Sequence, residues 1–213
     1  MDALYPPKCG ICEKDNKNFL CLKCNEKLKK EFKLKRQDLE DKIEFNFVEH
    51  YYAFKYKDLI RKIILEIKFN KKVYLYNTLE KFLQNNQKYF EKLKKYDIII
   101  VVPLSRKRLL MRGYNQSQLI GKTISGMLSI KIEKNVLYKI KNIAPQSSLN
   151  KTQRKNNVRG VYKAKNIDRL YNKKILLIDD IYTTGSTLNE CAKTLTDFGI
   201  DKKNIGVFTL AKD

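Results

Sequence analysis

The segment ILLIDDIYTTGSTL, residues Ile175–Leu188, decides the fold and marks the first candidate site. Its aliphatic run predicts a strand buried on both faces, and this run ends at two adjacent carboxylates, Asp179 and Asp180. Small residues that bring hydroxyl groups and a glycine follow: Thr183, Thr184, Gly185, Ser186 and Thr187. A hydrophobic core gains nothing from two neighbouring carboxylates, so the junction is more typical of a ligand site than of a structural turn.

The chemistry of this junction suits a phosphorylated sugar. Ligands of parallel α/β folds bind at the carboxyl ends of the strands, where Asp179 and Asp180 would accept hydrogen bonds from sugar hydroxyls. The following turn offers backbone N–H groups at a helix N-terminus, which favours a phosphate, and Gly185 permits close approach of the backbone. A Walker A site is excluded because the pattern GxxxxGK[ST] is absent. The structural alternative is a capped helix that follows a strand with solvated aspartates.

Strand and helix patterns alternate along the chain and predict an α/β fold with a parallel sheet flanked by helices. Strands are expected within FNFVEHYYAFKY and YDIIIVVP and over Lys174–Asp180 and Asn204–Leu210. Helices are expected over Asp58–Phe69, Val73–Leu93, Asn115–Leu128 and Ser186–Phe198. The segment Asn142–Tyr162 has little periodicity and is predicted to be a long mobile loop.

Four cysteines near the start of the chain form two CxxC pairs separated by eight residues: Cys9, Cys12, Cys21 and Cys24. This spacing predicts a closed tetrahedral zinc site with a structural role. A segment of this length does not bury a core, so zinc would supply its folding free energy. Disulfides are the alternative, which a reducing compartment disfavours.

The same patterns divide the chain into three parts. Residues 1–30 are predicted to be the zinc-binding knuckle and residues 31–44 a charged helical connector. Residues 45–213 would form the α/β domain.

The charge of the chain predicts a polyanionic partner. There are 45 Lys and Arg against 23 Asp and Glu, a net charge of +22, and residues 101–174 hold 18 basic but only 2 acidic side chains. Such a block attracts nucleic acid or phosphorylated small molecules; a composition rich in lysine throughout is the alternative reading. No apolar run is long enough to span a membrane and the start lacks the features of a secretory signal, so we expect a cytoplasmic protein without membrane insertion.

The junction resembles the signature of the type I phosphoribosyltransferases. This resemblance implies that Asp179 and Asp180 are the catalytic pair that holds the ribose of phosphoribosyl pyrophosphate (PRPP), and that residues 183–187 hold its 5′-phosphate, with Mg²⁺ as the companion of PRPP. It places the pyrophosphate at Ser105, Arg106 and Lys107, and makes 142–162 a hood that closes over the site. The hypoxanthine-guanine enzymes have an acidic residue at the position of Thr183, so that substrate class is not expected.

The order of segments along nearly the whole chain is similar to the ComF family of competence proteins. The cysteine pairs are followed by VPLSRKRLLMRGYNQSQLI, then QSSLNKTQRKNNVRGVY, then the carboxylate junction. Within these, Arg112–Gln116 and the pattern Gln146, Arg154, Asn157 separate this family from salvage transferases. The resemblance implies a role in the uptake of transforming single-stranded DNA, alongside a helicase-like protein of the same operon.

The segment 112–116 and the basic residues of the loop 142–162 can each be interpreted in two ways. Arg112 could hold a phosphate and Tyr114 could lie under a base or ribose, or Tyr114 is a packed aromatic between a Gly113 turn and an Asn115 helix cap. In the loop, basic residues could hold either nucleic acid or pyrophosphate: Lys151, Arg154, Lys155 and Arg159.

Three functions therefore stand beside one another. The first is a ComF-like DNA-uptake protein with a PRPP site, and the second is an active phosphoribosyltransferase of nucleotide salvage. The third is a zinc-stapled helicase adaptor whose sugar-phosphate site is vestigial.

Overall fold

The aliphatic run Ile175–Ile178 lies at the centre of a six-stranded sheet and is fully buried. The structure is a computed structural model, which describes residues 8–17, 19–140 and 160–213. Its strands are Phe32–Asp38 (β1), Glu49–Lys55 (β2), Ile98–Val101 (β3), Lys131–Ile132 (β4), Leu137–Lys139 (β5), Tyr162–Ala164 (β6), Ile175–Tyr182 (β7) and Ile205–Lys212 (β8). Its α-helices are Leu22–Glu31 (α1), Asp58–Phe69 (α2), Tyr74–Asn85 (α3), Arg106–Arg112 (α4), Gln116–Leu128 (α5) and Ser186–Thr196 (α6).

The strand order is β1–β2–β8–β7–β3–β4, and a separate hairpin joins β5 to β6. Every neighbouring pair in the large sheet is parallel except β1 with β2. The predicted fold class, a mostly parallel sheet flanked by helices with a small N-terminal cysteine module, is confirmed.

The two faces of the sheet support separate cores because side chains alternate along each strand. Ile99 packs on one face with residues of α2, α3 and α5, whereas Ile98 and Ile100 pack on the other face with residues of α6. The result is three layers: the sheet has α2, α3 and α5 on one face, and α6 with the 3-10 helix Ile167–Leu170 on the other.

The chain changes direction between β3 and β7. From β3 it continues through α5 outward to β4, and from β7 it continues through α6 to β8 on the opposite side. The carboxyl ends of β3 and β7 therefore border a crevice, which is where ligands bind in open α/β sheets.

The predicted helical connector over residues 31–44 is wrong in its secondary structure. Helix α1 ends at Glu31, and β1 begins at Phe32 and pairs with β2. The Phe32 ring packs 5.5 Å from that of Phe54 and 5.4 Å from that of Phe82. This aromatic contact outweighs the helical propensity of the lysines around it, and Phe32–Asp38 belongs to the sheet.

Two helices also differ from expectation. The predicted helix Val73–Leu93 divides at Asn86 into α3 and the 3-10 helix Gln87–Lys95. The short helix α4 was not predicted, and none of its residues is buried. Ser105 accepts a hydrogen bond from the backbone N–H of Arg108 at its start, and Gly113 ends it with a left-handed φ of 79°. Among the helices of the described residues, none has the length and apolar character to cross a membrane.

Candidate functional site

The carboxylate pair lies at the crevice and each aspartate has its own partner. Asp179 Oδ1 accepts hydrogen bonds from the Ser117 hydroxyl at 2.7 Å and from the backbone N–H of Asp180 at 2.9 Å. The Asp180 carboxylate forms an ion pair with Lys68 Nζ at 2.6 Å. The last turn of α2 and the first turn of α5 thus meet at the end of β7.

The protonation of Asp179 is tuned by this setting. Burial, and then the negative charge of Asp180, raise its pKa to about 6, although the hydrogen bond from Ser117 and the charge of Lys68 act in the opposite direction. The ionised form of Asp179 only accepts hydrogen bonds, whereas the protonated form donates one and keeps part of its acceptor capacity, so sugar hydroxyls that donate are bound better by the ionised form.

The turn after β7 has the form expected for an anion site. Gly185 occupies the N-cap of α6 with a left-handed φ of 73°, and the hydroxyl groups of Thr184 and Ser186 lie 2.8 Å apart. A Cβ atom at Gly185 would lie 2.4 Å from the Tyr182 hydroxyl, so any other residue would have to displace that ring. The N-cap residue has no side chain, and the N–H of Ser186 donates to the Thr184 hydroxyl at 3.4 Å. The N-terminus of a helix favours a phosphate.

The segment Arg112–Gln116 connects this site to the surface. Arg112 donates to Gln116 Oε1 at 3.1 Å and its guanidinium lies 5.7 Å from the centre of the Phe69 ring. Burial lowers the pKa of Arg112, and the negative charge of Asp180 opposes this shift.

The residues between Arg112 and Gln116 have structural contacts. Asn115 caps α5 through its contact with the Ser117 N–H at 3.1 Å and donates to the Val102 carbonyl at 3.0 Å. The Tyr114 hydroxyl donates to the carbonyl of Ile67. These contacts correspond to the packed alternative for Tyr114, whereas Arg112 stays a candidate ligand contact.

The structure separates the three pyrophosphate candidates. Ser105 is buried and caps α4, whereas Arg106 and Lys107 are exposed on that helix. The basic candidates of the hood, Lys151, Arg154, Lys155 and Arg159, fall outside the described residues.

Sequence reasoning missed Lys68 and Ser117, which both contact the carboxylate pair. Lys68 is one lysine among many at the end of an amphipathic helix, and no local pattern distinguishes it. Ser117 directly follows the segment Arg112–Gln116, so its place in the first turn of a helix after a buried strand was the available signal.

The four N-terminal cysteines form a cluster that fits zinc. Their Sγ atoms all lie within 4.8 Å of one another, and those of Cys12 and Cys21 are 3.8 Å apart. A tetrahedral zinc with Zn–S bonds of about 2.3 Å requires sulfur separations of about 3.8 Å. Burial works against ionisation of Cys9, yet backbone hydrogen bonds lower its pKa to about 6, whereas burial and the neighbouring sulfurs raise the pKa of Cys24.

Fold and site together define an α/β protein with a carboxylate pair at the crevice of its sheet and an N-terminal cysteine cluster that fits zinc. The chain is 29% identical to competence protein F of Haemophilus influenzae, over 96% of this chain and 90% of that protein. It is 30% identical to competence protein ComFC of Streptococcus pneumoniae, over 78% of this chain and 69% of that protein. The DNA utilization protein YhgH of Escherichia coli K12 matches over 46% of the chain at 30% identity. No model of a protein family matches the chain.

The chain belongs to the ComF family of competence proteins.

Proposed function

We propose that this protein acts in the cytoplasm during the uptake of transforming single-stranded DNA, and that its crevice binds PRPP or a related phosphorylated ribose. The observation that carries the first part is the similarity to competence proteins over most of the chain. The second part is supported by the placement of Asp179 and Asp180 beside the turn 183–187 at the end of β7.

Each part of the ligand has a matching group in the crevice. Asp179 and Asp180 would accept hydrogen bonds from the ribose hydroxyls, and the N–H groups at the start of α6 would hold the 5′-phosphate. Carboxylate oxygens are also the ligands that Mg²⁺ prefers, so the pair suits PRPP with Mg²⁺ as its companion. Lys68 neutralises Asp180 at 2.6 Å and would limit repulsion between the aspartates and the ligand phosphates.

Single-stranded DNA is the partner that the charge favours. Of the 18 basic side chains within residues 101–174, 11 belong to α4, to the strands β5 and β6 or to the sequence between these strands. Binding through phosphates predicts an affinity that falls steeply with salt. A helicase-like protein encoded with this one is the proposed protein partner.

Calorimetric titration of the zinc-loaded chain with PRPP–Mg²⁺, alone and with a short single-stranded oligonucleotide, tests both parts. We expect PRPP to bind, and the oligonucleotide to bind with an affinity that drops at least tenfold between about 50 and 200 mM salt. No heat with PRPP rejects the sugar-phosphate site, and no oligonucleotide binding at low salt rejects the DNA partner.

An active phosphoribosyltransferase of nucleotide salvage is the second candidate, favoured by the paired carboxylates at the crevice. It requires release of pyrophosphate from PRPP in the presence of a nucleobase, and loss of that release in the double variant Asp179→Asn, Asp180→Asn. Assays across the common nucleobases that show no pyrophosphate reject it.

A zinc-stapled helicase adaptor with a vestigial site is the third, and the packing of the knuckle favours it. Cys9 and Cys24 belong to the same core as α3, and Thr78 of α3 donates to the Phe19 carbonyl at 3.0 Å. This surface would be rigid enough to bind a protein. An adaptor keeps its partner complex in Asp180→Asn and loses it in Cys12→Ser, and the opposite result rejects it.

A further inference from the structure

Phe69, the last residue of α2, is the most exposed aromatic side chain in the described part of the chain. Its side chain is 64% exposed, although four isoleucines of the same helix are buried. A single exposed apolar side chain is ordinary on a protein surface and by itself indicates no ligand. Phe69 differs by its position, because it directly follows Lys68, whose ammonium group pairs with the Asp180 carboxylate at 2.6 Å.

Two further contacts hold the end of α2 against the segment Arg112–Gln116. The Tyr114 hydroxyl donates to the Ile67 carbonyl, and the guanidinium of Arg112 lies over the Phe69 ring, 5.7 Å from its centre. Arg112 also donates to Gln116 Oε1 at 3.1 Å, so the guanidinium has a second partner that fixes its position. A flat ligand that binds to side chains already held in place loses little conformational entropy.

The wall of the crevice beside this ring contains an unused hydrogen-bond donor. Gln116 is only 6% exposed, and its Nε2 atom has no hydrogen-bond partner among the described residues. Gln116 and Asp180 line the same small cavity, of about 20 Å³, together with Ile67. A buried amide donor without an acceptor is unfavourable, so this wall suits a ligand with acceptor atoms on its edge.

We propose that Phe69 and Arg112 form a stacking platform for the nucleobase of a nucleoside 5′-phosphate whose ribose and phosphate occupy the crevice. The inference rests on the proposed sugar-phosphate site. With the 5′-phosphate at the turn 183–187 and the ribose at Asp180, the base would lie toward the end of α2. Bases stack both on aromatic rings and on the guanidinium plane of arginine, and every base has a flat face. The platform therefore predicts base binding with little preference among the bases.

A free ribonucleotide and the 5′-phosphorylated end of single-stranded DNA share this chemistry. The paired carboxylates of Asp179 and Asp180 favour the ribonucleotide, because its ribose offers two adjacent hydroxyls as donors. DNA lacks the 2′-hydroxyl, and its 3′-oxygen is esterified within the strand. A site that hydrogen-bonds both hydroxyls discriminates against a sugar without them.

The chain contains no tryptophan, so Phe69→Trp places a single fluorescent reporter on the platform. Phe198→Trp is the matched control, since Phe198 is 51% exposed and lies beyond the end of α6. Both variants of the zinc-loaded full chain are titrated with AMP, CMP and ribose 5-phosphate. We expect AMP and CMP to quench the reporter of Phe69→Trp, ribose 5-phosphate to change it much less, and no ligand to quench the reporter of Phe198→Trp.

Calorimetry with the natural chain, Phe69→Ala, Phe69→Tyr and Phe198→Ala gives the affinities. We expect the natural chain to bind AMP about fivefold or more tighter than ribose 5-phosphate, which is the effect of stacking one base. Phe69→Ala should lose this advantage and bind ribose 5-phosphate as before, whereas Phe69→Tyr and Phe198→Ala should keep it. A 5′-phosphorylated and a 5′-hydroxyl oligonucleotide are titrated alongside to identify a DNA end as the ligand.

The outcomes separate this inference from the proposed function. If the natural chain binds ribose 5-phosphate and AMP equally well, the platform is rejected while the sugar-phosphate site stands. If Phe69→Ala weakens both ligands alike, the ring supports the site and not a base, and the proposal is overturned. If binding of the 5′-phosphorylated oligonucleotide depends on Phe69 and binding of AMP does not, the ligand is a DNA end and the ribonucleotide is rejected. Binding of neither ribose 5-phosphate nor AMP rejects the crevice ligand and the platform together.

Discussion

Lys68 and Asp180 form an ion pair of 2.6 Å, with side chains only 17% and 13% exposed. The pair ties the last turn of α2 to the end of β7, which are separated by more than a hundred residues in the chain. Because both charges are largely removed from water, each depends on the other. The carboxylate proposed to hold ribose is therefore already neutralised in the free protein.

We expect Lys68→Met to destabilise the protein by about 1–3 kcal/mol, because it leaves the Asp180 carboxylate without its partner. A thermal or chemical unfolding series measures this, and the double variant Lys68→Met, Asp180→Asn should recover part of the loss. Lys72→Met is the control, since its ion pair with Glu66 is more exposed and is screened by solvent, so its loss should change stability much less. Equal losses in Lys68→Met and Lys72→Met contradict a special role of the Lys68–Asp180 pair.

A second prediction concerns Asp179 and pH. Its pKa of about 6 in the folded protein exceeds the value of about 3.9 for an unfolded chain, so the folded state favours the protonated form. Ionised Asp179 therefore lowers stability above pH 6, and this penalty fades as the pH falls through 6 toward 4. Asp179→Asn should unfold at a temperature about 2–4 °C higher than the natural protein at pH 8, with a smaller difference at pH 4.

The control for this pH effect is Asp197→Asn. Asp197 is an exposed aspartate that pairs with Lys193 at 2.6 Å, and its substitution changes the net charge by the same amount. A stabilisation at pH 8 in Asp197→Asn as large as in Asp179→Asn would assign the effect to overall charge.

The sequence predicts those site residues whose pattern lies within one short stretch of the chain, and it does not predict those that packing of distant elements brings to the site. Asp179 and Asp180 were located because the buried run and its end are adjacent in sequence, and the four cysteines were located because metal spacing is local. Lys68 and Ser117 contact the carboxylates only because α2 and α5 pack against β7, which is distant from both in sequence. In a chain with 45 basic residues, composition does not distinguish Lys68.

The same distinction explains the errors in the fold. The strands buried on both faces were predicted because their runs are continuous. The sequence predicts a helix where β1 lies, because the lysines hide the alternation of Phe32 and Leu34. These two side chains are partly buried only because β2 and α3 lie against them. Helix α4 was missed because it has no buried face, so hydrophobic periodicity gives no signal for it.

A third prediction concerns Glu49, a buried carboxylate at the start of β2. It accepts hydrogen bonds from Arg36 at 2.6 Å, from Tyr51 at 2.9 Å and from Tyr96, and it pairs with Lys95. Burial opposes ionisation, but the hydrogen bonds from Lys95, Tyr96, Arg36 and Tyr51 lower its pKa to about 2.

Because its pKa is lowered in the folded protein, ionised Glu49 stabilises the fold at every pH above about 4.3, the pKa of Glu in an unfolded chain. This stabilisation is lost as the pH falls toward 2. We expect Glu49→Gln to cost up to about 3 kcal/mol at pH 7 and much less near pH 2.5, as measured by urea unfolding. Glu91→Gln removes a carboxylate whose ion pair with Lys94 is exposed, and it should be nearly neutral at both pH values. A loss in Glu49→Gln that does not change with pH would show that packing, not ionisation, is responsible.

The fourth prediction separates backbone strain from ligand access at the phosphate turn. Gly185 and Gly113 both have left-handed φ angles, 73° and 79°, but a Cβ atom would lie 2.4 Å from the Tyr182 hydroxyl at Gly185 and would meet nothing within 4 Å at Gly113. Gly113→Ala should therefore cost only the conformational penalty of about 1 kcal/mol, whereas Gly185→Ala adds the displacement of Tyr182 and should cost more. Because that displacement moves the turn 183–187, Gly185→Ala should also weaken PRPP–Mg²⁺ binding at least tenfold at a temperature where both variants are folded. Equal binding by the two variants in calorimetry would place the 5′-phosphate elsewhere in the crevice.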